Sequence, residues 1–232
     1  MKKNGVMLVG LCGRSGSGKG YVSALFLCRG IPSVDTDEVY REMTGPAEEL
    51  SPCMAALRDR FGEGVVSPDG SLDRAAMRSL VFSGDGEALS DLNRITHAFI
   101  LDETRRRVQE LYEAGFPIVL IDAPLLYESG FDAECARVLC VTAPEELLIR
   151  RIMNRDGITE MDAIRRLAAQ KSVAELEECA DYVIENDGCP MDELMRRVDV
   201  VADELYAVRA EEYAEDSEEE KAETDDGGEE NR

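Results

Sequence analysis

Histidine is almost missing from this chain: His97 is the one residue of its type among 232. The seven cysteines are irregularly spaced and form no Cys-x-x-Cys, so they outline neither a zinc site nor a disulfide framework. An odd number of thiols in a chain of this size reads as reduced cysteine, and hence as a cytoplasmic protein. Basic residues are scarce as well. Lys and Arg total 26 against 49 Asp and Glu, a formal charge of −23. That balance excludes a general binder of nucleic acid or of anionic membranes, although local basic groups can still line a cleft for a small anion. No apolar run is long enough to cross a bilayer. Lys2 and Lys3 stand before a hydrophobic stretch in the manner of a signal peptide, but the stretch is short and runs into glycines rather than a cleavage site. With 44% apolar residues the chain can bury one substantial core.

The stretch around which the rest is organised lies near the N-terminus. Val6 to Cys12 is a short apolar run that predicts a buried strand, and Tyr21 to Cys28 predicts a helix. Between them, Gly13-Arg14-Ser15-Gly16-Ser17-Gly18-Lys19 fits G-x-x-x-x-G-K, the phosphate-binding loop. Its glycines allow positive φ and turn successive N–H groups inward as an anion nest. The following helix adds its positive N-terminal end, and Lys19 a full charge. One residue is absent from the pattern. The Ser or Thr whose hydroxyl ligates Mg²⁺ is replaced by Gly20, followed by Tyr21. The anion site survives this change; the direct protein ligand to the metal does not.

Strand and helix patterns alternate beyond the loop, which predicts a parallel α/β sheet of about five strands. Gly30 to Asp37 reads as a strand ending in acids, with Asp35 or Thr36 as a helix cap and Asp37 facing substrate at the carboxyl edge of the sheet. Residues from about 40 to 115 read as a helical insertion, an acceptor-binding lobe, with a helix at Asp73 to Phe82 and another from about Thr96 to Glu113. Ile118 to Asp122 is an apolar strand tipped by a carboxylate suited to holding Mg²⁺ or its waters. Ala136 to Thr142 and Asp181 to Asn186 predict two more strands. Residues 145–172 carry Arg150, Arg151, Arg155, Arg165 and Arg166, a concentration of arginine that fits a mobile lid over a triphosphate. From Met191 an apolar stripe marks a helix, and residues 211–232, with a local charge of −10, read as a disordered acidic tail beyond a kinase domain of residues 1–210.

Together these motifs resemble the dephospho-CoA kinases, a family of phosphate-loop enzymes. The resemblance rests on Gly10 to Lys19, Asp35-Thr36-Asp37, Gly70 to Arg74, Leu92-Asn93 with His97, and Asp122 to Glu128. Arg151 with Arg155, Arg166 with Gln170, and Ala180 to Asn186 complete it. It implies a three-layer kinase fold and ATP-dependent phosphorylation of the ribose 3′-hydroxyl of dephospho-CoA, with Mg²⁺ as cofactor. Asp37 matches the catalytic acid near the attacking hydroxyl. Gly13 to Tyr21, Arg151, Arg155, Arg166 and Asn186 match the ATP side. Arg74, His97, Leu125 and Glu128 match the acceptor side, and Asp122 with Asp37 the metal side, partly through water. The implied partners are ATP and dephospho-CoA, with no nucleic acid or membrane, in a monomer or weak homo-oligomer. Two readings stand beside it: another small-molecule kinase of the same fold, or a nucleotide-binding protein weakened catalytically by Gly20.

Overall fold

Apolar runs flanked by glycine and proline become the strands of a five-stranded sheet ordered β2-β3-β1-β4-β5. The computed structural model describes residues 5–82, 86–123, 126–127 and 129–226, with side chains through residue 212. The strands are β1 (Met7–Cys12), β2 (Ser33–Asp35), β3 (Ile118–Asp122), β4 (Arg137–Thr142) and β5 (Tyr182–Glu185). β1 pairs in parallel with β3 and with β4, and β4 with β5. The carboxyl ends of β1, β3 and β4 therefore share one edge, where ligands of such sheets bind.

The chain divides into two compact units. The first comprises residues 1–33 and 111–232, the second Val34–Glu110. In the first, α1 (Lys19–Cys28) and α9 (Met191–Asp226) supply one side of the main core. Val22 and Phe26 of α1 and Leu194, Val198 and Leu205 of α9 join Val9, Leu11, Leu120, Leu139 and Val141 of the strands. Phe26 is fully buried, worth about 2–3 kcal/mol of hydrophobic transfer. A second cluster joins α6 (Glu145–Asp156) to α7 (Glu160–Ala168) through Leu148, Ile152, Ala163 and Leu167. The short α8 (Val173–Glu178) starts with a capping box between Ser172 and Glu175.

The second unit is helical: α2 (Thr36–Met43), α3 (Pro52–Phe61), α4 (Arg74–Phe82) and α5 (Glu87–Glu113). Cys53, Met54, Leu57, Val65, Leu72, Met77 and Val81 form its own core. Several boundaries differ from the sequence reading. α2 starts at Thr36, because the Asp35 carboxylate accepts the N–H of Asp37 at 2.8 Å and of Glu38 at 3.1 Å, so Asp35 is the cap. Such a cap is worth about 1 kcal/mol. α5 begins at Glu87, well before Thr96, because its first turns leave Leu89 exposed and Leu92 only half-buried, which hides the apolar period. Asn154 to Gly157, which reads as a turn from its residue types, is instead the last turn of α6, closed by Gly157 in the left-handed region at φ 64°.

The acidic tail is a further correction. α9 continues to Asp226, so residues 211–226 are helical where composition pointed to disorder. Ala, Glu and Lys are strong helix formers, and the packed first half of α9 has already met the cost of nucleation. Residues 227–232 lie outside the described residues. The apolar packing of α9 in the main core ends at Val208, and Glu212 makes a half-exposed ion pair with Arg137 at 3.7 Å. Removing residues 213–232 is therefore expected to leave the melting temperature within about 2 °C of the full chain, the equivalent of less than 1 kcal/mol. A scanning-calorimetry loss of several degrees would show that the tail docks on the body.

Candidate active site

The loop between β1 and α1 takes its shape from glycines that no other residue can replace. Gly13 has φ 148°, and a Cβ there would strike the carbonyl oxygen of Val141. Gly18, at φ 90°, caps α1, and a Cβ on it would strike the amide of Asn186. Gly18 O accepts the N–H groups of Tyr21 and Val22, both at 3.0 Å. The leading N–H groups of α1, at Lys19 and Gly20, have no carbonyl behind them within the helix. They and the helix dipole face the space over the loop, the arrangement that attracts phosphate. Lys19 reaches back across the loop. Its Nζ donates to Gly13 O at 3.2 Å and stands 3.9 Å from Asp122 Oδ1 at the tip of β3.

A set of long-range hydrogen bonds holds the loop from outside. Asn186, buried just after β5, donates from Nδ2 to Ser17 O at 2.8 Å, and its own N–H donates to Thr142 O at 2.8 Å. Arg151 of α6 donates to Gly16 O at 3.2 Å, to Ser17 O at 3.3 Å and to Asn186 Oδ1 at 3.2 Å. Burial pushes the Arg151 guanidinium below its ordinary pKa. Beside these residues opens a cleft of about 320 Å³ lined by Gly18, Tyr21, Arg151, Asn186, Gly188 and Cys189, among others. That volume suits a small ligand.

The remaining arginines are occupied differently from the sequence reading. Arg14 aims its side chain away from the cradle, donating to Leu167 O at 2.7 Å and pairing with Glu145 at 3.3 Å. Its guanidinium ties α6 and α7 to the loop; only its backbone belongs to the nest. Arg155 donates to Ser15 Oγ at 3.2 Å and to both oxygens of Asp156, at 2.8 and 2.9 Å. Arg166 also pairs with Asp156. Those two arginines hold the Asp156 carboxyl down at about 2. A phosphate drawing on Arg155 and Arg166 must therefore compete with Asp156. Sequence reasoning missed Asp156 and gave Gln170 no site role. Gln170 accepts the Ser15 N–H at 3.0 Å. The signal was present only as the Asn154-Arg155-Asp156 and Arg166 to Gln170 spacings, which acquire meaning once α7 lies against the loop.

The structure thus gathers Gly13 to Tyr21, Asp122, Arg151, Arg155 and Asn186 around one loop. Asp37, Arg74 and His97 belong to the second unit. Asp37 lies in the first turn of α2, its N–H held by the Asp35 cap. Arg74 opens α4 with its guanidinium 5.4 Å from the centre of the Tyr40 ring, a cation–π contact. His97 is half-buried on α5. Leu125 and Glu128 lie outside the described residues. Among the described residues no three His, Cys, Asp or Glu side chains converge as a metal site. No helix among them is long and apolar enough to cross a membrane.

The chain is similar to known proteins along most of its length. The family profile described as dephospho-CoA kinase matches residues 7–192. A dephospho-CoA kinase of Burkholderia lata is 43% identical over 194 residues, covering 83% of this chain and 93% of the relative. One of Syntrophotalea carbinolica is 39% identical over 183 residues, 79% of this chain and 85% of its own length. A solved structure of a Thermus thermophilus protein superposes with a TM-score of 0.69 at 32% identity, covering 89% of this chain and 97% of that one.

Proposed function

Because this chain belongs to the dephospho-CoA kinase family, we propose that the glycine cradle and the arginine-bearing helices α6 and α7 bind ATP for transfer of its γ-phosphoryl group to the ribose 3′-hydroxyl of dephospho-CoA. The enzyme is a kinase of coenzyme A synthesis. The reaction yields CoA and ADP, the final step of that synthesis. The observation that carries the site reading is Lys19, held between Gly13 O and Asp122 at the mouth of a loop whose other side is clamped by Arg151 and Asn186. Phosphoryl transfer asks chiefly for position and charge neutralisation, and this arrangement offers both. The cleft beside Gly18 and Arg151 takes the nucleoside end of ATP, and Lys19 takes the β- and γ-phosphates. Asp37 accepts the proton of the attacking hydroxyl, and Arg74, His97, Leu125 and Glu128 form the acceptor side. Incubation with ATP, Mg²⁺ and dephospho-CoA is expected to produce CoA by mass spectrometry. ATP consumed on shikimate or a nucleoside monophosphate, with no CoA formed, would overturn the assignment of substrate.

The residues present fit Mg²⁺. A carboxylate, Asp122, stands at the strand tip beside Lys19, and no ready-made three-donor cage surrounds it among the described residues. Mg²⁺ commonly takes one or two carboxylates, substrate phosphates and several waters. Bound with ATP, it neutralises the β- and γ-oxygens. Asp122 would hold its waters, because Gly20 offers no hydroxyl.

Gly20 makes this testable. A Cβ built there meets no atom within 4 Å, so a serine fits without displacing anything. It would also remove part of the glycine penalty in α1, about 0.5 kcal/mol. Gly20→Ser is expected to lower the Mg²⁺ concentration for half-maximal activity, and Asp122→Asn to raise it. Ser at position 20 should partly rescue Asp122→Asn. Strict additivity in that double-mutant cycle would refute compensation by Asp122.

A further inference from the structure

On the face of the sheet turned away from α1 and α9, two cysteines stand side by side beneath the phosphate loop. Cys12 ends β1, Cys140 lies in β4, and the parallel ladder pairs them directly. Alternation along both strands sends Leu11, Leu139 and Val141 into the core under α1 and α9. Cys12 and Cys140 consequently project together to the opposite face. Partners on neighbouring strands stand about 4.8 Å apart, within the Cα separation of roughly 4.4–6.8 Å that a disulfide spans. Both are buried, with Cys12 3% and Cys140 0% exposed, so any oxidant that reaches them must be as small as peroxide.

The two thiols are also chemically unlike. The protonated Cys140 thiol alongside and the positive charge of Lys19 hold the Cys12 thiol below its ordinary pKa. Cys140 is pushed up by keeping its proton against Cys12 and by burial. Cys53, Cys135 and Cys189 are shifted up as well. One sulfur of lowered pKa beside one protonated partner is an attacking thiol next to a resolving one. Nothing in phosphoryl transfer requires either residue.

We propose that Cys12 and Cys140 are a peroxide-sensitive pair whose reversible disulfide switches the kinase off. The Cys12 thiolate attacks one oxygen of hydrogen peroxide, the O–O bond breaks, and the departing hydroxide takes up a proton to leave as water. Cys140 then attacks the sulfur of the Cys12 sulfenic acid while losing its own proton. The S–O bond breaks, and hydroxide leaves with that proton as a second water. Two thiols and one peroxide thus become one disulfide and two waters. A dithiol reverses the step by exchange. The bridge acts on the loop because Cys12 adjoins Gly13 and Cys140 adjoins Val141, and the Val141 carbonyl oxygen already leaves no room beside Gly13. Gly13 O is also the acceptor that orients Lys19. The usual Cα separation across a disulfide, about 5.5–6 Å, exceeds the strand spacing, so the bridge spreads the two strand ends and moves Lys19 off the phosphates.

The effect on activity rests on the proposed ATP site; formation of the bridge does not. Peptide mapping of the peroxide-treated full chain is expected to show Cys12 joined to Cys140. A displacement of about 1 Å at such a site costs on the order of 10²-fold in rate. A loss of that size is expected, recovered with dithiothreitol and prevented by saturating ATP. Cys140→Val should keep the basal rate and form no bridge, whereas Cys179→Ser, which removes an exposed thiol, should still be switched off. Absence of the Cys12–Cys140 peptide from oxidised protein overturns the proposal. So does a bridged protein of full activity, or sensitivity that follows Cys179 instead. A reduced protein that makes no CoA yet forms the bridge would fail the kinase reading alone.

Discussion

Replacing Lys19 with methionine is expected to lower kcat by about 10²–10³-fold while leaving the melting temperature nearly unchanged. The reason is the position of the ammonium group. It hydrogen-bonds Gly13 O at 3.2 Å and stands 3.9 Å from Asp122, at the N-terminal end of α1. A charge held there by the protein's own dipoles is aligned before ATP arrives, so its attraction for the transferring phosphoryl group costs no reorganisation. Methionine keeps the length and the apolar stem but offers neither a donor nor a charge. The fold has little to lose, since the 3.9 Å contact with Asp122 is long for an ion pair and the core under α1 is built from Val22 and Phe26. Steady-state kinetics beside a thermal melt separate the two effects. Wild-type kcat in a well-folded variant would sink the phosphate-loop assignment.

Asp37→Asn is expected to reduce kcat by about 10²-fold or more, with a much smaller change in ATP affinity. Asparagine preserves the size of the side chain and leaves the α2 cap intact, because that cap is Asp35 and bonds the backbone of residue 37. The variant therefore isolates the carboxylate as proton acceptor from the carboxylate as a structural group. Equilibrium ATP binding and single-turnover transfer provide the comparison. If ATP affinity collapses while kcat holds, Asp37 serves the metal or the fold instead.

The elements that were legible in advance are those whose cause is local. The strand Ile118–Asp122 has the bounds that its unbroken apolar run predicts. The strand–loop–helix of the phosphate cradle is equally local: Gly13 and Gly18 carry positive φ, and Lys19 starts the helix. Asp35 caps α2 because a carboxylate two and three residues ahead of unpaired helix N–H groups needs no tertiary help. By contrast, the first turns of α5 were hidden by exposed leucines, and the helical course of 211–226 was hidden by an acidic composition that disordered segments share.

The candidate site divides along the same line. Sequence by itself determined the family, the phosphate cradle, and the absence of a hydroxyl at Gly20, since each is a matter of residue type at close spacing. Only the tertiary structure decided what the arginines do. Arg14 and Arg151 are both basic residues in or near glycine-rich or charged segments, yet one braces α7 and the other grips the loop carbonyls. It alone also put Asp156 between Arg155 and Arg166, Gln170 against Ser15, and Cys12 against Cys140. Cys12 and Cys140 are far apart in the chain, and nothing in either neighbourhood names the other. Their pairing follows from the register of β1 against β4, which depends on the summed burial of both strands. A one-residue slip would send every side chain to the other face.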